Sequence, residues 1–271
     1  VQTCALPIFS NDLSDLDTLG RWAVVAPYAG KPVLAKFRTW EESPPRSAAQ
    51  DWKGLGGAPW NTSLDESAYV AGVTRIREAI ARGDVYQVNL CRVLTAPVAA
   101  EISLEALHRR LNQVHPAPYA GFLSLPDVDL EVVCASPELF LRRDGTQLTT
   151  GPIKGTAATQ DQLQPKDQAE NIMIVDLMRN DLSRIAQTGS VQVLDLLRVE
   201  QHPGLVQLVS DITCHVESNL GWDQIMRSTF PPGSVTGAPK SSALAIIDEL
   251  EPASRDVYCG AFGWEIGRAH V

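Results

Sequence analysis

The sequence predicts an α+β domain with a layered antiparallel sheet core and helices packed outside it. Three observations predict this. Apolar runs fold back on each other across the turn dipeptides Pro126-Asp127 and Asp144-Gly145, and Asp-Gly between alternating residues is a hairpin signal. Stretches with apolar residues at helical spacing stand between these hairpins. The strands do not alternate one-for-one with helices, as a doubly wound sheet requires.

The first strand-like run is Trp22–Ala26. Residues 41–58 (EESPPRSAAQDWKGLGGA) are rich in proline, glycine and charge and read as an exposed loop or linker. A helix is predicted over Ser67–Arg82, with Tyr69, Val73, Ile76 and Ile80 as its apolar face and Gly83-Asp84 as its stop. Val85–Thr95 alternates as one strand would. A second helix covers Leu104–Gln113. Hairpins follow over Tyr119–Leu125 with Leu130–Ala135, and Phe140–Arg143 with Gln147–Thr150. A long helix spans Pro165–Gln187, and a strand Val191–Leu197. Val206–Val216 is open between helix and strand. A short helix over Gly221–Ser228 and a glycine-rich turn over Pro231–Gly237 precede a last helix from Pro239 to Leu250.

The chain has 271 residues, enough for one large domain or two small ones. Its net charge of -9 argues against a nucleic-acid or anionic-membrane surface. No apolar run approaches the roughly 20 residues of a spanning helix. The five cysteines are scattered without a CxxC pair. They suggest neither zinc nor a disulfide framework, and read as buried thiols in a reducing cytoplasm.

Four segments carry candidate chemistry. In Asp167–Leu182, Asp167 and Glu170 are spaced i, i+3 near a helix start. They either complement the helix dipole or hold a Mg²⁺ ion, which takes a few carboxylates and fills its shell with water and substrate oxygens. In Ser136-Pro137-Glu138, the glutamate is either a strand-edge surface group or a partly buried general acid. In Thr150–Thr156, Lys154 sits on a stiff backbone between Pro-Ile and Gly-Thr. It is either a solvated loop lysine or a nucleophile. In Pro232–Lys240, the glycines and Pro239 form a turn into a helix whose free N–H groups suit a carboxylate. The spacing is not that of a Walker A loop.

Together with Tyr86-Gln87-Val88-Asn89-Leu90 and Tyr258–Trp264 (YCGAFGW), these segments resemble, in this order, the chorismate-binding enzyme family. That family includes anthranilate, aminodeoxychorismate, isochorismate and salicylate synthases. The resemblance runs from Tyr69 to Trp264 and implies the family's α+β fold over residues 61–264, a Mg²⁺ ion, and chorismate as substrate. Isochorismate-forming members use a lysine at the position of Gln87, which cannot act as a base. Anthranilate-forming members carry alanine at the position of Lys154, whereas aminodeoxychorismate-forming members carry lysine. The resemblance therefore implies amination of chorismate to 4-amino-4-deoxychorismate for 4-aminobenzoate and folate synthesis, with ammonia from a glutamine amidotransferase subunit or domain.

In that scheme Lys154 attacks the ring, Glu138 protonates the departing hydroxyl, and Glu170 with Asp167 holds the ion. Gly155, Thr156, Ser234, Gly237, Tyr258 and Gln207 contact the substrate. Gln207 stands where many members have histidine. Anthranilate formation is the alternative, and a non-catalytic chorismate-binding relative or an inactive fragment the third reading.

The two tails invite a separate expectation. Val1–Ile8 and Glu265–Val271 can be encoded so that six whole codons and one further base of each are reverse complements of the other, and both resemble translated sequencing adapter. The genuine frame is then 10–264, with 10–60 the remnant of an N-terminal region. The family's last strands and its second metal-binding glutamate would be missing after Trp264.

Overall fold

The computed structural model describes residues 7–40, 52–99 and 102–267. Fifteen strands and five α-helices occur in the order β1 (Ile8–Ser10), β2 (Gly20–Ala26), β3 (Val33–Phe37), β4 (Asn61–Thr62), α1 (Glu66–Arg82), β5 (Gln87–Val88), β6 (Leu94–Thr95), α2 (Leu104–Val114), β7 (Tyr119–Leu125), β8 (Leu130–Ser136), β9 (Leu139–Asp144), β10 (Gln147–Gly151), β11 (Ile153–Ala157), α3 (Pro165–Ser183), β12 (Gln192–His202), β13 (Leu205–His215), α4 (Trp222–Thr229), β14 (Gly237–Ala238), α5 (Lys240–Leu250) and β15 (Ala261–Gly267). Among the described residues every strand pairing is antiparallel. The predicted α+β class and antiparallel core are therefore what the chain adopts. Most of the expected 41–58 loop, residues 41–51, lies outside the described residues.

Strand β13 organises the larger sheet. Its first half pairs with β11 and its second half with β10, while β12 runs along its other edge. Burial explains why periodicity left this segment open: Val206, Leu208, Val209, Ser210, Ile212, Thr213 and Cys214 are all buried, and a strand covered on both faces loses its alternation. Helix α3 lies against this sheet through Ile174, Met178 and Leu182, which share one face at i, i+4, i+8. They close over Leu148, Ile212 and Cys214. Burying each such side chain contributes about 1.5–3 kcal/mol. A second sheet, β1-β3-β2-β15, gathers its own core around Ala35, Phe37 and Leu125.

Three local expectations are corrected. Helix α1 buries Gly72, Ile76 and Ala79, while Tyr69, Val73 and Ile80 stand 37%, 38% and 41% exposed. The small residues win because the contact is close: a Cβ on Gly72 would lie 2.9 Å from Leu90 Cδ2. Val85–Thr95 is not one strand. Only its ends pair, β5 with β14 and β6 with β4, and between them Asn89 N–H goes to Thr236 O, Cys91 N–H to Glu251 Oε1 and Val93 N–H to Ser63 Oγ. Loop and side-chain acceptors thus replace a neighbouring strand. Helix α3 ends at Ser183, short of Gln187.

The tail segments assigned to adapter sequence lengthen two strands. Ile8 and Phe9 pair with Lys36 and Ala35, and Glu265, Ile266 and Gly267 pair with Trp22, Arg21 and Gly20. Backbone pairing of this kind takes place whatever the origin of the residues.

Candidate active site

Strand β11 carries the predicted nucleophile. Its register with β13 shifts between Ile153 and Thr156, and Gly155 takes φ +86°. An irregularity of this kind re-aims a side chain out of the ladder. Lys154 uses it to reach the glycine-rich turn, where its Nζ donates to Ser234 O at 3.0 Å. Glycine is required next door: a Cβ on Gly155 would lie 2.7 Å from Asp167 Cβ.

Glu138 meets the same turn from the loop before β9. Its carboxylate accepts from the Ser234 hydroxyl and the Ile153 N–H, with the Lys154 ammonium close enough to act on its charge. Burial dominates and holds the Glu138 carboxyl above the usual range, against those three interactions. An upward shift of this kind suits a carboxyl to give a proton to a departing oxygen. Ser136 Oγ accepts from Glu138 N–H at 3.2 Å and fixes the loop.

Glu138, Ser234 and Tyr258 line one cavity of about 610 Å³, which also takes in Val132, Phe140 and Trp222. The structure therefore ties Lys154 to Ser234 and sets its charge near Glu138, while the cavity wall takes in Glu138, Ser234 and Tyr258 but not Lys154. Gly237 lies apart from that wall. It is buried in β14 opposite Val88, where a Cβ would sit 2.1 Å from Gln87 O. Thr156 and Gln207 face each other across β11 and β13, with Gln207 Nε2 3.5 Å from Thr156 Oγ1. Gln207 Oε1 is buried without a hydrogen-bond partner.

Asp167 and Glu170 occupy the first turns of α3. One Asp167 oxygen accepts the Gln164 N–H at 2.8 Å, closing a capping box. Glu170 is exposed, and no hydrogen bond or ion pair of its side chain is found among the described residues. The remaining carboxylate oxygens suit a hard divalent cation that draws the rest of its shell from water and substrate. Among the described residues no cluster of three or more His, Cys, Asp or Glu side chains forms a cage.

Sequence reasoning missed the groups that hold the site. Asn89 Nδ2 donates to the same Ser234 carbonyl at 3.0 Å. Asn171 is buried in α3 and donates to Leu208 O at 2.9 Å and Lys154 O at 3.5 Å. Arg255 is buried and donates to Asn89 O, Val235 O and Glu251. Lys240 Nζ reaches Oδ2 of the fully buried Asp181 at 2.6 Å, and the Gly233 N–H lies near enough to favour the carboxylate, though Oδ1 has no hydrogen-bond partner among the described residues. Asn89, Asn171, Asp181 and Lys240 lie inside quoted motifs, which was their one sequence signal; Arg255 lies in none.

Comparison with known proteins bears on this arrangement. The chain is 40% identical over 217 residues to aminodeoxychorismate synthase component 1 of Klebsiella aerogenes, covering 76% of the chain and 47% of that relative. It is 38% identical over 239 residues to the Escherichia coli (strain K12) protein of the same name, covering 84% and 51%. Anthranilate synthase component 1 of Thermus thermophilus is 38% identical over 221 residues, covering 77% and 47%. The chain thus spans about half the length of the curated relatives it matches. The structure of anthranilate synthase component I from Streptococcus pneumoniae TIGR4 superposes with a TM-score of 0.77 at 22% identity, over 93% of this chain and 72% of that one. That likeness carries the fold. Residues 35–269 match the model of the chorismate binding enzyme family, and the span takes in every group gathered around Ser234 as well as both carboxylates of α3. The chain belongs to the chorismate-binding enzyme family.

Proposed function

We propose that this chain is the catalytic region of an enzyme that aminates chorismate to 4-amino-4-deoxychorismate. The observation that carries the reading is Lys154, set on the β11 irregularity, hydrogen-bonded to Ser234 O and beside Glu138. Lys154 Nζ attacks the ring carbon, and the C–O bond to the leaving hydroxyl breaks as Glu138 gives that oxygen its proton. Ammonia then displaces Lys154 and forms the new C–N bond, with Glu138 recovering a proton from the incoming nitrogen. A glutamine amidotransferase subunit or domain supplies the ammonia. Ser234 and Tyr258, on the cavity wall, hold the substrate; Gly155, Thr156 and Gln207 stand beside Lys154 on β11 and β13, and Gly237, buried in β14, follows the turn that carries Ser234. Asp167 and Glu170 would hold Mg²⁺. When bound, the ion supplies positive charge for a substrate carboxylate. We place the reaction in the cytoplasm. Free Cys91, Cys134, Cys214 and Cys259 accord with that, and among the described residues no helix is long and apolar enough to cross a membrane.

Anthranilate formation is the second reading, favoured by the 38% identity to a named anthranilate synthase. One experiment separates the two. The full-length protein is given chorismate, Mg²⁺ and ammonium, and products are resolved by chromatography; a parallel sample without ammonium is digested and its Lys154 peptide weighed. Aminodeoxychorismate and an adduct on Lys154 are expected, with Lys154→Ala losing turnover by orders of magnitude while still binding chorismate. Anthranilate as the main product, with no adduct and unimpaired Lys154→Ala, would overturn the assignment.

A further inference from the structure

Cys91 and Cys259 are 168 residues apart in sequence, yet their Sγ atoms stand 3.7 Å apart. Neither sulfur has a part in the amination scheme. Cys91 follows β5 on the irregular segment, its N–H fixed to Glu251 Oε1 at 2.8 Å. Cys259 directly follows Tyr258, takes the left-handed φ of 62° and lines the cavity. Arg255 ties the two segments together. It reaches Asn89 O on the Cys91 side, four residues before Cys259, and grips the same Glu251 that holds Cys91. Drawing the two segments apart would break that cluster, so the fold keeps the two cysteines side by side.

The two thiols are unequal. The hydrogen bond from Cys91, and then the Arg255 charge, hold Cys259 below the ordinary thiol range against the effect of its burial. The same bond and burial push Cys91 up. Cys259 is also the sulfur on the cavity wall, and so the one an oxidant in the cavity meets first. Both residues are only half-buried, so a small oxidant has access.

We propose that Cys91 and Cys259 form a reversible disulfide that clamps the Tyr258 wall of the cavity to the segment carrying Asn89. With a low-molecular-weight disulfide as oxidant, Cys259 thiolate attacks one of its sulfurs and expels the other as a thiolate. Cys91 then loses its proton and attacks Cys259 Sγ, expelling the second small thiol. Two protein thiols are oxidised to a disulfide, and one external disulfide is reduced to two thiols. The sulfurs close from 3.7 Å to about 2.0 Å, which needs a rotation about the Cα–Cβ bonds and a small approach of the two segments.

The test is independent of which reaction the protein catalyses. The protein is equilibrated in glutathione buffers of rising oxidised fraction, quenched by alkylation and digested. A peptide pair joined through Cys91 and Cys259 is expected, lost on adding dithiothreitol, absent from Cys91→Ser (or Cys91→Ala, should the serine variant fail to fold) and retained in Cys134→Ser. Amide exchange across Tyr258–Gly260 should slow in the oxidised form alone. Glutathione remaining on Cys259 with no joined pair, or a joined pair that leaves that exchange unchanged, would overturn the proposal.

Discussion

Glu138 shows how a single residue's surroundings set its chemistry. Burial raises its carboxyl, and the Ser234 hydroxyl, Lys154 and the Ile153 N–H each pull it back. Removing the Ser234 hydroxyl takes away a donor that favours the carboxylate, so Ser234→Ala should raise the Glu138 pKa further. If protonated Glu138 is the acid, turnover falls as pH rises through that pKa. The basic limb of the pH profile should then move to higher pH in Ser234→Ala, as steady-state kinetics across pH would measure. A limb that stays in place, or moves down, would remove Glu138 from the acid role. The spacing of Pro137 and Glu138 exposed this candidate in the sequence. What the sequence could not provide was the partner, because Ser234 lies 96 positions away along the chain and only the turn after α4 brings it back.

At the scale of the element, α3 bears on both readings of its acidic start. The dipole reading and the metal reading were both open from the i, i+3 spacing, and Asp167 supports the first directly by accepting the Gln164 N–H. Asp167→Ala should therefore cost about 1 kcal/mol of stability through the lost cap, seen as a lower Tm with or without Mg²⁺. Asp167→Asn keeps an acceptor for the cap while removing the charge. It should hold Tm near that of the parent yet weaken Mg²⁺ dependence if the second reading also holds. Equal stability in Asp167→Ala would dismiss the cap. Helix α1 teaches a related point: its period was readable, but its buried face was not, because apolarity ranks Tyr69 and Val73 above Gly72 while close approach to Leu90 selects the glycine.

At the scale of the whole molecule, the site depends on contacts between distant elements. Lys240 on α5 neutralises Asp181 on α3, which is fully buried and close to the Gly233 N–H of the turn that presents Ser234. Burial opposes charge on both partners, driving Asp181 up and Lys240 down. The 2.6 Å contact opposes that burial and favours charge on both partners. Lys240→Met strands the carboxylate and should destabilise the protein by about 3–5 kcal/mol in urea unfolding. Combining it with Asp181→Leu should recover much of that loss. A small effect of the single change would mean that Asp181 is already neutral.

The sequence by itself determined the antiparallel α+β class, the hairpins at Pro126-Asp127 and Asp144-Gly145, and where most of the helices lie, and it named the candidate residues for chemistry. These are written in local chemistry: turn dipeptides, caps and periodicity act over a few residues. Only the tertiary structure decided that Val206–Val216 is a strand, that Asn89–Val93 leaves the ladder, that Lys154 turns to Ser234, and that Cys91 meets Cys259. Each of those depends on a partner far along the chain, and a backbone or side-chain polar group takes whichever distant acceptor the packed fold brings within reach.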